Sequence, residues 1–252
     1  MTEPPVLDPD QDPVLDPDEY EDEGISFAGR LRPLLAFGGV FSGVALLLNI
    51  LGGVSLGLAL LVMTSLLIGI FLVVLVVSSP ESRSWMLRTV AIGIGVGFSA
   101  TLIYDVTKTM LSQLDPSPFD PFHVIQIFGQ LLVGSSADPA LITAAGTAFH
   151  LVNGTSFGVA YLFLFAHDGA ITVRRALLTG IGWGLFLETF QLTLYPGWLD
   201  IRLYQEFATI SALSHIVYGA TLGLLGRWVL RRIFRPAAGD DPPRAEGTYH
   251  LP

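Results

Sequence analysis

The sequence predicts an all-α integral membrane fold: six transmembrane helices with a short outer interfacial or re-entrant helix. Three observations carry that prediction. Of 252 residues, 51% are hydrophobic and only 14% are charged, against about a quarter charged in an ordinary soluble domain. Mean hydropathy is +0.60. The apolar residues fall in runs long enough to cross a bilayer core about 30 Å thick, which takes roughly 20 residues of helix. These features exclude an ordinary soluble enzyme, a disordered chain and a nucleic-acid binder, which would need a basic surface. With no cysteine, disulfides, thiolate metal sites and Cys nucleophiles are excluded too.

The spans are expected at about 33–52, 55–78, 89–112, 143–165, 173–195 and 208–230. The first two form a tight hairpin at Gly52-Gly53, with no charged residue between Arg32 and Glu81. Orientation follows from the basic residues. Arg30, Arg32, Arg83, Arg88, Arg174, Arg175, Arg227, Arg231, Arg232, Arg235 and Arg244 fall on one side, and Lys108 and Arg202 on the other. The positive-inside rule then puts both termini in the cytoplasm of a plasma-membrane protein. Trp85 and Trp228 suit the inner boundary, and Tyr195, Trp198 and Tyr204 the outer one.

Ten of the 22 acidic residues lie between Glu3 and Glu23, beside a repeated hexapeptide, Pro5–Asp10 and Pro13–Asp18. Residues 1–29 therefore read as a disordered acidic cytoplasmic tail, able to dock a basic partner and lacking the basic n-region and apolar core of a signal peptide. Residues 30–80 read as a two-span hairpin, 85–235 as a four-span core and 236–252 as a cytoplasmic tail.

In the longest outer connection, about 113–142, Asp120-Pro121 has the form of an N-cap followed by Pro at the first helical position. The apolar stretch Phe122 to Gly134 is too short to cross, and its His123, Gln126 and Gln130 share one face. Glycines recur at four-residue spacing: Gly93 and Gly97, Gly154 and Gly158, Gly180 and Gly184 with Gly182 between them, Gly219 and Gly223. Small-xxx-small spacing lets helix backbones approach closely. The Gly-Ile-Gly-Val-Gly run at 93–97 is not a nucleotide loop, because it lies inside a span.

Ionisable residues inside spans are costly and mark functional positions. Asp105, His150, Glu188 and His215 each lie about seven residues from the outer end of their span, roughly 10 Å deep. Each has a companion at i+3 on the same face: Lys108, Asn153, Gln191 and Tyr218. An outer-leaflet polar pocket of His150, Asn153, Glu188, Gln191, His215 and Tyr218 follows, roofed by His123 and Gln126. His150, Glu188 and His215 have the chemistry to hold a divalent metal, or to carry protons. Two facing histidines suit haem in principle, but nothing favours that cofactor and none is assigned. The structural alternative is interhelical hydrogen-bond glue, with Asp105–Lys108 as a local ion pair and His167-Asp168 solvated at the inner end.

Catalysis is not expected. A rhomboid-type serine protease would need Ser156 and a His at one depth, yet Ser156 lies about two turns deeper than His150. Histidine-cluster oxygenases need more than five histidines, and the Glu-Glu pair of CAAX-type proteases is absent. The expected function is non-enzymatic: transport, or binding of a metal or ligand. The alternative is an accessory subunit, in which 33–78 contacts a membrane-protein partner and the polar layer only packs. No nucleic-acid partner is expected; the lipid bilayer is.

The order of motifs across 88–230 resembles the YagU-like inner-membrane proteins and related families of unknown function. The matching pieces are Gly97-Phe98-Ser99-Ala100-Thr101, His150-Leu151-Val152-Asn153-Gly154 with Phe157-Gly158, and His215-Ile216-Val217-Tyr218-Gly219 with Leu222-Gly223. The resemblance covers about 140 residues and implies a four-span module without supplying an activity. Glu188-Thr189-Phe190-Gln191 is similar to the Glu-x-x-Gln of VanZ-like membrane proteins, but the Arg and Asp expected after it are not in place.

Overall fold

The computed structural model describes residues 31–114, 120, 122–165, 172–193 and 205–233, without the side chains of Gln191 and 205–207. The tails 1–29 and 236–252, the anchors Tyr195, Trp198 and Tyr204, and His167-Asp168 lie outside the described residues. Every regular element among the described residues is an α-helix. The helices are α1 (Leu31–Gly39), α2 (Phe41–Gly52), α3 (Leu56–Val77), α4 (Pro80–Leu114), α5 (His123–Val133), α6 (Pro139–Phe165), α7 (Val173–Thr193) and α8 (Gln205–Ile233).

Four of these are long and apolar enough to cross a membrane: α3, α4, α6 and the Ala208–Ile233 part of α8. The bent pair α1–α2 brings the number to five if the two form one span. Two expectations are met only in part. The first predicted span is not one straight helix; it bends by 61° at Val40, directly after Gly38-Gly39. Glycines weaken the helix interior, and the Gly39 backbone lies so close to Ala160 that a Cβ there would come within 2.7 Å of the Ala160 nitrogen. The fifth predicted span forms a helix of 21 residues, α7, but it does not join the long apolar set. Its Glu188 and Gln191 lower the hydropathy that a crossing helix shows.

Local chemistry explains the helix ends. Gly53 closes α2 in the left-handed region (φ 66°), donating to the Asn49 carbonyl, while Asn49 Nδ2 donates to the Val54 carbonyl at 2.7 Å. At the start of α4, Ser79 Oγ accepts from the Ser82 N–H, with Pro80 in the first helical position. Arg83 reaches back to the Val76 and Ser78 carbonyls at 2.7 and 2.9 Å, satisfying the end of α3. Asp120 Oδ1 accepts from the Phe122 N–H at 2.8 Å ahead of α5. Asp138 Oδ1 accepts from the Ala140 N–H at 2.8 Å ahead of α6. Both Asp-Pro pairs thus introduce a helix, as the first was expected to.

Helix-on-helix seams run through the glycines. The largest is α7 against α8. A Cβ on Gly219 would be driven into the Gly180 carbonyl, one on Gly184 into that of His215 and one on Gly223 into that of Ala176. On the α4–α6 seam Gly97 and Gly158 face each other, and a Cβ on Gly93 would stand 2.8 Å from Val159 Cα. Gly95 and Gly182 face open space, so they contribute nothing to either seam. A central core joins α4, α6, α7 and α8 through Ile92, Val96, Tyr104, Tyr161, Trp183, Tyr218 and Leu222.

The 30–80 hairpin is fastened to this core at both ends. Leu35, Ala36 and Val74 pack with Met86 and Phe163 at one end. At the other, Ala45, Leu46, Leu56 and Ala59 pack with α5 and Phe149. Between those points α3 faces outward: only 6% of its most apolar window is buried, at a hydropathy of 3.1. Helix α5 runs antiparallel to the first turns of α6, with Gly129 against Ile142 and Ile125 against Gly146. Its start at Phe122 is therefore level with the Phe149–His150 turn.

The seam geometry makes a clear prediction. Gly219→Ala overpacks α7 against α8 and should lower stability by about 1–3 kcal/mol. Gly182→Ala, which meets nothing, should stay within about 0.5 kcal/mol of the parent. Thermal unfolding of both variants in phosphatidylcholine nanodiscs checks this.

Candidate functional site

The polar residues of α4, α6, α7 and α8 meet around Tyr104, one residue before Asp105. Its ring lies 4.9 Å from that of His215 and 6.0 Å from that of His150, centroid to centroid, and 6.4 Å from that of Tyr218. One turn further along α4, Lys108 Nζ donates to Tyr104 Oη at 3.2 Å. The same ammonium stands 5.4 Å from the Tyr104 ring centre and 5.9 Å from that of Phe122, within cation–π range.

Each imidazole has a carboxylate from a neighbouring helix. His150 Nε2 lies 2.8 Å from Asp105 Oδ1, joining α6 to α4. His215 Nδ1 lies 2.7 Å from Glu188 Oε2, joining α8 to α7. Ser211 Oγ donates to the same Glu188 oxygen at 3.0 Å, and the Ser211 carbonyl is 3.0 Å from His215 Nδ1. Two acceptors therefore face His215 Nδ1, so that nitrogen carries the ring hydrogen. His150 carries its hydrogen on Nε2, facing Asp105. In the neutral rings the remaining nitrogens, His215 Nε2 and His150 Nδ1, are acceptors.

The glycine seams set these pairings up. Gly184 brings α7 against the His215 turn of α8, and Glu188 lies one turn further along α7. Gly97 and Gly154 hold α4 close to α6, where Gly154 abuts the Thr101 side chain. Tyr218 Oη donates to the Gly154 carbonyl at 2.6 Å, tying α8 to α6. Asn153 Oδ1 accepts from Ser42 Oγ at 2.7 Å, and Ser42 also meets Ser156 Oγ at 2.9 Å. That small network fastens α2 to α6.

These groups line a partly open pocket of about 80 Å³. Its polar wall is Thr101, Tyr104, Lys108, His150, Asn153, His215 and Tyr218. Asp105 and Glu188 are not in the wall. Phe122, Val124, Ile125 and Phe128 of the short helix α5 close it on one side, and Phe157 and Leu187 on another. By volume it accommodates a few waters or one small polar group.

Of the predicted site residues, the structure brings His150, Asn153, His215 and Tyr218 to the cavity, with Glu188 bonded behind His215. The side chain of Gln191 lies outside the described residues. Three expectations change. His150, Glu188 and His215 do not form a metal centre: among the described residues no three His, Asp or Glu side chains are grouped to hold an ion. Each histidine already directs a nitrogen at its own carboxylate, and the Tyr104 ring packs against both imidazoles. Asp105 pairs with His150 across helices rather than with Lys108 along α4. His123 and Gln126 do not roof the cavity; Gln126 Nε2 donates to Thr143 Oγ1 at 3.0 Å, and the apolar face of α5 turns inward.

Sequence reasoning did not single out Tyr104, Thr101, Ser211 or Ser42 for this site. Tyr104 is one turn before Lys108 and Ser211 one turn before His215, so the i−4 neighbours of the flagged residues carried that signal. Ser42 carried none, since its partner lies 111 positions away. Buried Glu188 Oε1 has no hydrogen-bond partner among the described residues, which raises the cost of keeping this carboxylate inside the bundle. Comparison with family models, curated proteins and solved structures finds no match for this chain.

Double-mutant cycles check the pairing. Glu188→Gln with His215→Phe, and Asp105→Asn with His150→Phe, should each couple by about 0.5–3 kcal/mol. Asp105→Asn with Lys108→Met should couple more weakly than either, as read from unfolding free energies.

Proposed function

We propose that this chain is a six-span, multi-pass plasma-membrane protein with both termini cytoplasmic, whose outer-half cavity binds a small ligand without transforming it. The observation that carries this reading is the polar pocket itself. Two imidazoles, each backed by a carboxylate outside the wall, line a space with a lysine and two tyrosines inside an otherwise apolar bundle, where ionisable groups are expensive to keep. The close seam of α7 along α8 supports counting α7, the fifth of the expected spans, among the six despite Glu188. The antiparallel course of α5 beside α6 supports a re-entrant helix over the cavity. The order of motifs supports a four-span module of the YagU-like kind within 85–235.

Binding fits the site better than catalysis because its hydroxyls are committed. Ser211 Oγ is bonded to Glu188, Ser214 Oγ to the Ile210 carbonyl and Thr101 Oγ1 to the Gly97 carbonyl. None is a nucleophile poised beside an imidazole. A second reading, an accessory subunit, is favoured by the outward face of α3, which is apolar apart from Ser65 at its middle. In that reading the polar layer serves packing alone, and the 33–78 hairpin contacts a membrane-protein partner.

Two experiments separate these. The chain has no native cysteine, so single replacements report topology cleanly. Ser136→Cys should react with a membrane-impermeant maleimide from outside intact cells, and Glu81→Cys only after permeabilisation. Native mass spectrometry should find a small bound mass on the parent that is lost in His215→Phe. A stoichiometric polypeptide partner, with no small mass in either protein, would favour the accessory role.

A further inference from the structure

An apolar groove of about 540 Å³ runs between the α1 and α3 side of the hairpin and the α4–α6 seam, and it shares no lining residue with the polar pocket. Leu35, Val90 and Phe163 line it at the end where α1 and α4 begin, and Phe98 and Leu151 at the other. Gly38 and Gly39, beside the break at Val40, form part of its lining without side chains to fill it. Ile68, Ile94 and Val152 on its walls are exposed on the outer surface of the bundle. From Leu151 to Phe163 the α6 wall is about 18 Å long at 1.5 Å per residue. That is close to the depth of one leaflet, half of a core about 30 Å thick.

The end of the groove at Leu35 is basic. Arg32 lies one turn before Leu35 on α1, and its guanidinium stands over the Trp85 ring, 5.5 Å from the centre. That ring meets Phe163 of the groove wall, centroids 5.7 Å apart. Stacking occupies the face of a guanidinium and leaves the N–H groups in its plane for an anion. Arg32 Nε is buried without a hydrogen-bond partner among the described residues, a donor that a bound anion would satisfy. Arg83 falls on the same face of α4 as Val90 and Ile94, two turns before Val90. Its Nε and Nη2 hold the Ser78 and Val76 carbonyls, which leaves Nη1. Glu81 is exposed and falls on another face of α4. We infer that this groove holds one acyl chain of an anionic phospholipid, with the lipid phosphate bound by Arg32 and Arg83. The chain gains dispersion contacts along the groove, and basic side chains between spans at the membrane boundary recognise anionic headgroups. Phosphatidylcholine fits the groove equally, but its choline brings a cation to two arginines, so the head selects the anionic lipid. The inference stands apart from any ligand of the polar pocket.

The test uses the full chain in nanodiscs of equimolar phosphatidylglycerol and phosphatidylcholine with identical acyl chains. Because the chain has no native cysteine, Ile94→Cys can carry a benzophenone that reacts with whatever fills the groove, and mass spectrometry identifies the adduct. Phosphatidylglycerol should exceed phosphatidylcholine among the adducts about tenfold, equivalent to ~1.4 kcal/mol. The same label on Leu61→Cys, on the outward face of α3, should report the bulk ratio. Adding Arg32→Gln should bring the ratio at Ile94→Cys down towards that at Leu61→Cys. Adding Arg88→Gln, which removes an exposed charge from another face of α4, should leave it unchanged. Equal adducts of the two lipids at Ile94→Cys would overturn the inference, as would the same enrichment at Leu61→Cys. So would a ratio that ignores Arg32→Gln or falls as much with Arg88→Gln, or an adduct with a second copy of the chain or with residues 1–29. The comparison of Ile94→Cys with Leu61→Cys keeps every arginine in place, so it decides the matter even if Arg32→Gln fails to fold.

Discussion

A carboxylate enclosed by apolar helices must be given its partner by a neighbouring helix, and the site depends on that constraint. Water would solvate Glu188 at no cost, but inside the bundle its charge or hydrogen has to be met by protein. His215 and Ser211 meet one of its oxygens. They can do so only because α7 and α8 approach to backbone contact at Gly180, Gly184, Gly219 and Gly223. The same logic repeats between α4 and α6, where the seam at Gly97, Gly154 and Gly158 places Asp105 beside His150. Tyr104 stands against both imidazoles. The four helices are thereby locked in rotation as well as in spacing, since turning any one by a residue would strand a buried polar group.

Once both carboxylates are engaged, the surface left to the cavity consists of an ammonium, hydroxyls, an amide and the outer nitrogens of two imidazoles. Its chemistry is set by the groups the carboxylates do not reach. Helix α5 then decides access. Because it runs beside α6 with its apolar face inward, it covers one side of the pocket, and Phe157 and Leu187 bound another. The break at Val40 belongs to the same arrangement. It turns α2 toward α5 and Phe149 at one end, while α1 stays with Met86 and Phe163 at the other.

Much of the helical layout was legible in the sequence. Apolar run length gives helices by the bilayer rule, and observed bounds such as Leu56–Val77 agree with the predicted 55–78 to within a residue. The glycine spacing named the correct seams, apart from Gly182, which faces open space. The depth argument selected Asp105, His150, Glu188 and His215, all of which meet in one layer. Partner choice was not legible. Residues at i and i+3 share a face, so Lys108 looked like the natural partner of Asp105, but helix rotation gave that carboxylate to His150. Rotation depends on which glycines face which backbones, a tertiary property. The inward face of α5 was misread for a related reason. A polar stripe predicts only that one side differs from the other, and in a bundle with an apolar gap to close, the apolar side goes in. The kink at Val40 had a signal in Gly38-Gly39, but the hydropathy of 33–52 is uniform across it.

Histidine ring correlation spectroscopy tests the central claim most directly. The nitrogen-labelled protein would be studied in nanodiscs, with His150→Gln and His215→Gln supplying the assignments. The two engaged rings should appear as opposite tautomers, His215 carrying its hydrogen on Nδ1 and His150 on Nε2. Both hydrogens should exchange slowly with water, as expected of bonds to enclosed carboxylates. The reverse tautomer at either ring, or fast exchange at both, would mean that the imidazole–carboxylate pairs are not formed and that the cavity they shape is not there.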